Sequence, residues 1–329
     1  MNPFRTIGLL LCLIGFFCFV LPIDCPAPLI WRPGEGWSYE REGVTTANTP
    51  QEQLDLAKKL EAKKDYKNAL AGYRRLIRRW PSAASAQEAR LGLAECLSGT
   101  RYYYKAYKAY QELIQKNPNS PYFDTAIQRE FEIANLFLAG EKHKMWPGIV
   151  RLPALDKTLE IYEQLVKNGP YSKVGPDSQY RIGLCYEKQK DNLSAVHAFQ
   201  KVLERYPQNP LAEEAQFQIA WAYKQEAKRA EYDQNAANEA IAAFNDFLIR
   251  YPRSDKVQNA DKTLADLKFE QSKGLFNIGR FYEKNRAYKS ALIYYNAAIE
   301  QDPKSEWASQ AEKKVAALTP LVNTSVTAP

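Results

Sequence analysis

The sequence predicts an all-α fold of about six stacked helix pairs, and three observations predict it. An Ala followed at the fourth residue by an aromatic and at the twelfth by Pro recurs as Ala69/Tyr73/Pro81, Ala106/Tyr110/Pro118, Ala195/Phe199/Pro207, Ala240/Phe244/Pro252 and Ala291/Tyr295/Pro303, with Thr158/Tyr162/Pro170 as a sixth copy carrying Thr for Ala. Seven residues after the first member stand Leu76, Leu113, Leu165, Val202, Phe247 and Ala298. Twelve residues before it, where the connection is short, stand the small residues Ala57, Ala94, Gly183 and Gly279.

These offsets have a mechanical reason. A small residue in a first helix and an Ala early in a second let two antiparallel helices approach closely. The aromatic and the apolar residue that follow lie on the same face as that Ala and fill the seam to the next pair. Pro stops the second helix, because it lacks an N–H and pushes the residue before it out of the helical region. This is the pattern of the tetratricopeptide repeat, whose basic period is about 34 residues. Stacked pairs of this kind form a superhelix with a groove lined by the first helices. The uneven spacing of the six prolines shows that three repeats carry insertions.

Taken in order, residues 1–27 read as a signal peptide or membrane-anchor segment. Arg5 precedes fifteen apolar or small residues, Ile7 to Leu21, and Pro22 and Asp24 end the run. A short basic stretch before such a run marks export. Cys25 is the candidate lipidation site, and an uncleaved anchor is the alternative. Residues 28–50 form an irregular linker rich in Trp, Pro and Gly, with Trp31 and Trp37 as candidate anchors against the first helices or a partner. Residues 51–318 form the tetratricopeptide solenoid. Within it, 139–153 is a loop in the third repeat whose Trp146 and Ile149 are candidate contacts, 226–238 is an extended turn, and 255–273 is an additional or lengthened helix. Residues 319–329, following the arrest expected at Pro320, read as a disordered tail.

Composition narrows the function classes. Charge is +7, from 45 Lys and Arg against 38 Asp and Glu, and it is spread along the chain instead of gathered in a basic run, which argues against nucleic acid. Only two His are present, and the five Cys form neither a disulfide framework nor a zinc spacing. No phosphate-binding or nucleophile-elbow motif occurs. The one neighbouring Cys and His, Cys185 and His197, lack an orienting third group, so Cys185 reads as a buried packing residue. The chain is therefore expected to have no enzymatic activity, no cofactor, no metal and no small-molecule substrate.

The groove is the expected site. Counting from the small residue of each first helix, the neighbours three before and one after are expected to line it, and the candidates are Tyr180, Leu184, Phe217, Trp221, Phe276 and Arg280. Tyr180, Leu184, Phe217 and Trp221 together make a wide apolar strip, a mark of a protein-binding surface.

Two segments carry a family resemblance. The run Glu231-Tyr232-Asp233-Gln234, then Glu239-Ala240 and Phe244, ending in Tyr251-Pro252, and the last-repeat run from Gly279 to Ala291 resemble the BamD family of outer-membrane β-barrel assembly lipoproteins. The resemblance implies a non-enzymatic scaffold on the periplasmic face of the outer membrane. Its implied partners are the barrel-forming assembly subunit, held by the second half, and unfolded barrel precursors, received by the first. The family's basic helix before the last repeat corresponds here to residues 268–273, with Glu270 where a basic residue is usual. The competing reading is an envelope tetratricopeptide protein tied to cell division or wall synthesis. Such proteins usually carry a coiled coil before the repeats, and no heptad run precedes Gln51.

Overall fold

The computed structural model describes residues 29–32, 36–39, 47–144, 151–152, 154–229 and 234–326. Cys25, Trp146 and Ile149 lie outside the described residues, as do the remainder of the leading segment and residues 230–233. Thirteen helices are found among the described residues. They are α1 Pro50–Ala62, α2 Tyr66–Arg79, α3 Ala84–Gly99, α4 Tyr103–Lys116, α5 Phe123–Leu138, α6 Leu155–Asn168 and α7 Gly175–Gln189. Then follow α8 Asn192–Arg205, α9 Leu211–Arg229, α10 Gln234–Arg250, α11 Val257–Lys284, α12 Tyr288–Gln301 and α13 Glu306–Val326. The chain divides into two compact units, residues 1–123 and 124–329, where the repeat spacing alone drew a single run.

Local chemistry sets the helix ends. Thr49 and Asp65 cap α1 and α2 by accepting from the backbone N–H of Glu52 and of Asn68, and Asp191 caps α8 by accepting from that of Ser194. The second helices stop at the residue before each template proline: Trp80, Asn117, Gly169, Tyr206 and Asp302 are their C-caps. Within four repeats the turn between helices passes through a left-handed residue, and each time it is a cation: Lys64, Arg101, Lys190 and Arg286, with φ between 59° and 62°.

Packing follows the repeat template. All six first members, from Ala69 to Ala291, are fully buried, as are the six apolar residues from Leu76 to Ala298. The six aromatics are at most 1% exposed. In the second unit the close approach is explicit, since a Cβ on Gly183 would lie 2.4 Å from the Phe199 ring and one on Gly279 2.8 Å from the Tyr295 ring. Buried side chains pin the pairs further: Gln179 donates to the Ala198 carbonyl at 3.0 Å and Ser272 to the Ala298 carbonyl at 2.9 Å.

Several expectations need correction. The stretch read as an irregular linker holds a two-stranded antiparallel hairpin, β1 Leu29–Arg32 with β2 Gly36–Tyr39, in which Trp31 stands opposite Trp37. Ile, Trp and Tyr in these segments favour extended backbone. The third-repeat loop likewise carries a short pair, β3 His143–Lys144 with β4 Arg151–Leu152. The extended turn is shorter than expected, because α9 runs to Arg229 and α10 starts at Gln234. Of the two readings for 255–273, the lengthened helix is the one found, as α11 from Val257 to Lys284. The tail is not disordered from 319, because α13 continues through Pro320 to Val326. Leu318 is buried in the last core cluster, and this anchorage outweighs the hydrogen bond lost at proline.

Candidate functional site

The groove candidates separate into two places in the second unit. Tyr180 and Leu184 on α7 and Phe217 and Trp221 on α9 come together, and all four belong to or pack against one core cluster. Phe276 and Arg280 lie further along, on α11. Phe217 and Phe276 are only 8% and 3% exposed, so both are core residues and not groove lining. The reason is geometric. Residues three apart share a helix face, so the position three before the small residue lies on the packing seam with it. The position one after is turned about 100° away and reaches the surface. Leu184, Trp221 and Arg280 occupy that position, and they are half-buried, half-buried and exposed.

Phe217 is the support of the first place. Its ring meets Phe244 and Phe247 edge-on, at centroid distances of 6.1 and 5.3 Å. Trp221 lies almost parallel to it at 6.4 Å, with an interplanar angle of 16°. The Lys224 ammonium lies 4.4 Å from the Trp221 ring centroid. Beside Trp221 is a cleft of about 820 Å³ whose other wall is polar, with Glu187 and Lys190 from the α7 end and Gln218, Gln225 and Lys228 from α9. Glu214 is held by Lys256 at 2.8 Å and by Gln218 at 3.2 Å, and Glu226 accepts from Asn192 at 2.9 Å. The arrangement is an aromatic ledge next to a polar trough, suited to holding a peptide segment by shape and hydrogen bonds.

Glu187 is the residue that sequence reasoning missed, although a signal exists. Twelve residues before the template aromatic stand Glu61, Glu187 and Glu283. In the outer two copies the aromatic is Tyr, and its hydroxyl donates to the carboxylate at 2.5 Å, from Tyr73 to Glu61 and from Tyr295 to Glu283. In the copy between them the aromatic is Phe199, which has no hydroxyl to give. Burial, followed by the charge of Glu214, pushes the Glu187 carboxyl up to about 7. A raised carboxylate pKa means that the folded chain holds a proton the unfolded chain has released. Stability therefore falls as pH rises from about 4.5 to about 7, and Glu187→Gln flattens that slope. Urea midpoints measured across this range check it, and an unchanged slope in the variant counts against the assignment.

The second place is a crevice of about 800 Å³ between α11 and α13, lined by Arg280, Phe281, Glu283, Lys314 and Leu321. Lys314 pairs with Glu283 at 2.9 Å, and the hydrogen bonds from Tyr295 and Lys314 outweigh burial and hold the Glu283 carboxyl below the usual carboxylate range. Phe281 is 63% exposed at this rim. Elsewhere, Cys185 is fully buried, and burial pushes its thiol up to about 12, so it is no nucleophile. Among the described residues no cluster of three or more His, Cys, Asp or Glu has a metal-binding arrangement. No helix among them is long and apolar enough to cross a membrane.

A family profile described as an outer membrane lipoprotein, YfiO, matches residues 154–318, half of the chain. The chain belongs to the YfiO family of outer membrane lipoproteins. The match starts just before α6 and covers the first place and all of the second but Leu321. A tetratricopeptide-repeat profile matches residues 54–121 in the first unit. Among curated relatives, the outer membrane protein assembly factor BamD of Caulobacter vibrioides is 26% identical over 147 residues, covering 44% of this chain. That match spans 48% of the relative's own length. A tetratricopeptide repeat protein from Parabacteroides merdae aligns over 83% of this chain and 100% of its own, at 14% identity and a TM-score of 0.35. MamA from Desulfovibrio magneticus aligns over 64% of this chain and 100% of its own, at 14% identity and a TM-score of 0.32. This YfiO-family chain is an all-α repeat protein of the tetratricopeptide class.

Proposed function

We propose that the chain is a non-enzymatic scaffold of the outer-membrane β-barrel assembly machinery, on the periplasmic face of the membrane. In this reading it binds the barrel-forming assembly subunit and unfolded barrel precursors through the first-helix face of its second unit. The observation that carries the reading is the aromatic ledge of Trp221 on Phe217 beside the polar cleft, inside the segment that matches the family. Half-buried aromatics next to a polar rim are the usual anchors of protein interfaces. The relative whose printed role is outer membrane protein assembly supports the choice of partner. Anchorage through Cys25 is part of the same proposal, and incorporation of labelled palmitate that Cys25→Ala abolishes supports it.

Affinity purification from envelope extracts, with partners identified by mass spectrometry, tests the reading. Recovery of the barrel-forming assembly subunit is the expected result. Recovery of cell-division or wall-synthesis proteins in its place overturns it and favours the competing envelope role.

A further inference from the structure

The first unit holds a charged group that its own packing leaves unanswered. Arg90, on α3, is only 6% exposed, and its Nε has no hydrogen-bond partner among the described residues. Burying a guanidinium without a counter-charge is costly, and folded proteins rarely keep one unless something pairs with it. Arg90 lines a crevice of about 480 Å³ between the second helices of the first two repeats. Arg74, Ile77 and Arg78 of α2 form one wall, and Ala109 and Glu112 of α4 the other. Arg74 and Arg78 are exposed at the rim. The one acid present, Glu112, is engaged by Lys116 on its own helix at 2.6 Å. The crevice thus has an apolar lining of Ile77, Leu93 and Ala109, a buried guanidinium and two further cations above it.

We propose that this crevice binds the carboxylate of an acidic side chain carried next to an apolar residue on a partner polypeptide. A carboxylate is planar and matches the guanidinium fork with two parallel hydrogen bonds. A phosphate dianion would leave the apolar lining of Ile77, Leu93 and Ala109 without a partner, whereas an acid carried beside an apolar residue uses both. The apolar neighbour of the acid rests on Ile77 and Leu93, while Arg74 and Arg78 draw the negative segment in. The site lies within the first unit, so it is separate from the second-unit surface assigned above and stands whether or not that assignment holds.

The test uses the purified chain and a fluorescein-labelled pentapeptide of alternating Leu and Glu, with a Leu and Gln counterpart. Fluorescence polarisation measures affinity, and the Arg90 Nε–Hε signal in a nitrogen-15 spectrum reports the site. The expected result is saturable binding of the Glu peptide that moves the Arg90 signal. Affinity drops at least tenfold for the Gln peptide and for Arg90→Met. Arg90→Met keeps or raises the unfolding midpoint, because an unpaired buried charge is removed. Arg90→Lys keeps the charge, loses the fork, and falls between. Equal affinity for the two peptides overturns the proposal. So does a lowered midpoint in both Arg90 variants, which makes the residue structural. Arg90-dependent binding to phosphatidylglycerol vesicles without peptide binding overturns it in favour of a lipid site, and displacement of the peptide by inorganic phosphate at equal charge reduces it to a general anion site.

Discussion

Replacing Phe199 with alanine is expected to lower the unfolding free energy by about 3–5 kcal/mol, the range for emptying a core phenylalanine site. The ring is fully buried and joins two helices. It sits on α8, its centroid is 5.2 Å from that of Tyr180 on α7, and the α7 backbone at Gly183 rests directly on it. The surrounding helices are held by neighbours on both sides, so they have little freedom to collapse into the space. The same contact makes Gly183→Ala costly, at about 1–3 kcal/mol, because the new methyl would meet the ring. Combining Gly183→Ala with Phe199→Leu costs less than the two changes added, since the methyl occupies space that the smaller side chain vacates. Guanidinium denaturation followed by circular dichroism measures all three. A loss below about 1 kcal/mol for Phe199→Ala would show that the ring does not set the helix spacing.

Trp221→Glu is expected to weaken binding to the periplasmic domains of the barrel-forming subunit by about 30-fold or more, the equivalent of about 2 kcal/mol at an interface anchor. Its flanking residues Ala220 and Ala222 are buried, whereas Trp221 itself turns outward onto the ledge. The charged replacement keeps the helix and removes the aromatic face. The unfolding midpoint is expected to move by no more than about 1 kcal/mol. Titration calorimetry beside thermal unfolding separates the two effects. A collapsed midpoint with unchanged affinity in the remaining folded chain would place Trp221 in the core.

The parts of this fold legible in the sequence are those fixed by helix geometry alone. The spacing of Ala69, Tyr73, Leu76 and Pro81 and of its five relatives encodes one face and one stop, and every member of that face is buried. What escaped depends on tertiary context. Pro320 reads as a stop, yet Leu318 packing holds α13 beyond it. Phe217 and Phe276 read as groove lining although their rings turn into the packing seam, and Tyr180, Leu184, Trp221 and Arg280 keep surface. Glu187 carries no motif. Its character comes from burial and from the charge of Glu214, which only the packed helices bring to bear on it. Arg90 was invisible for the same kind of reason, because an arginine in a helix reads as solvated until its neighbours are known.

The 28 residues of α11 make a rod of about 42 Å. Its first half, through Ala260 and Leu264, belongs to the core built around Phe244 and Phe247, and Phe276 near its end belongs to the core around Tyr295. Between neighbouring repeats a loop ordinarily serves as a joint, and here there is none. One continuous helix therefore ties the core that backs Trp221 to the core beside the Arg280 crevice, so the last two repeats share a beam instead of meeting at a hinge.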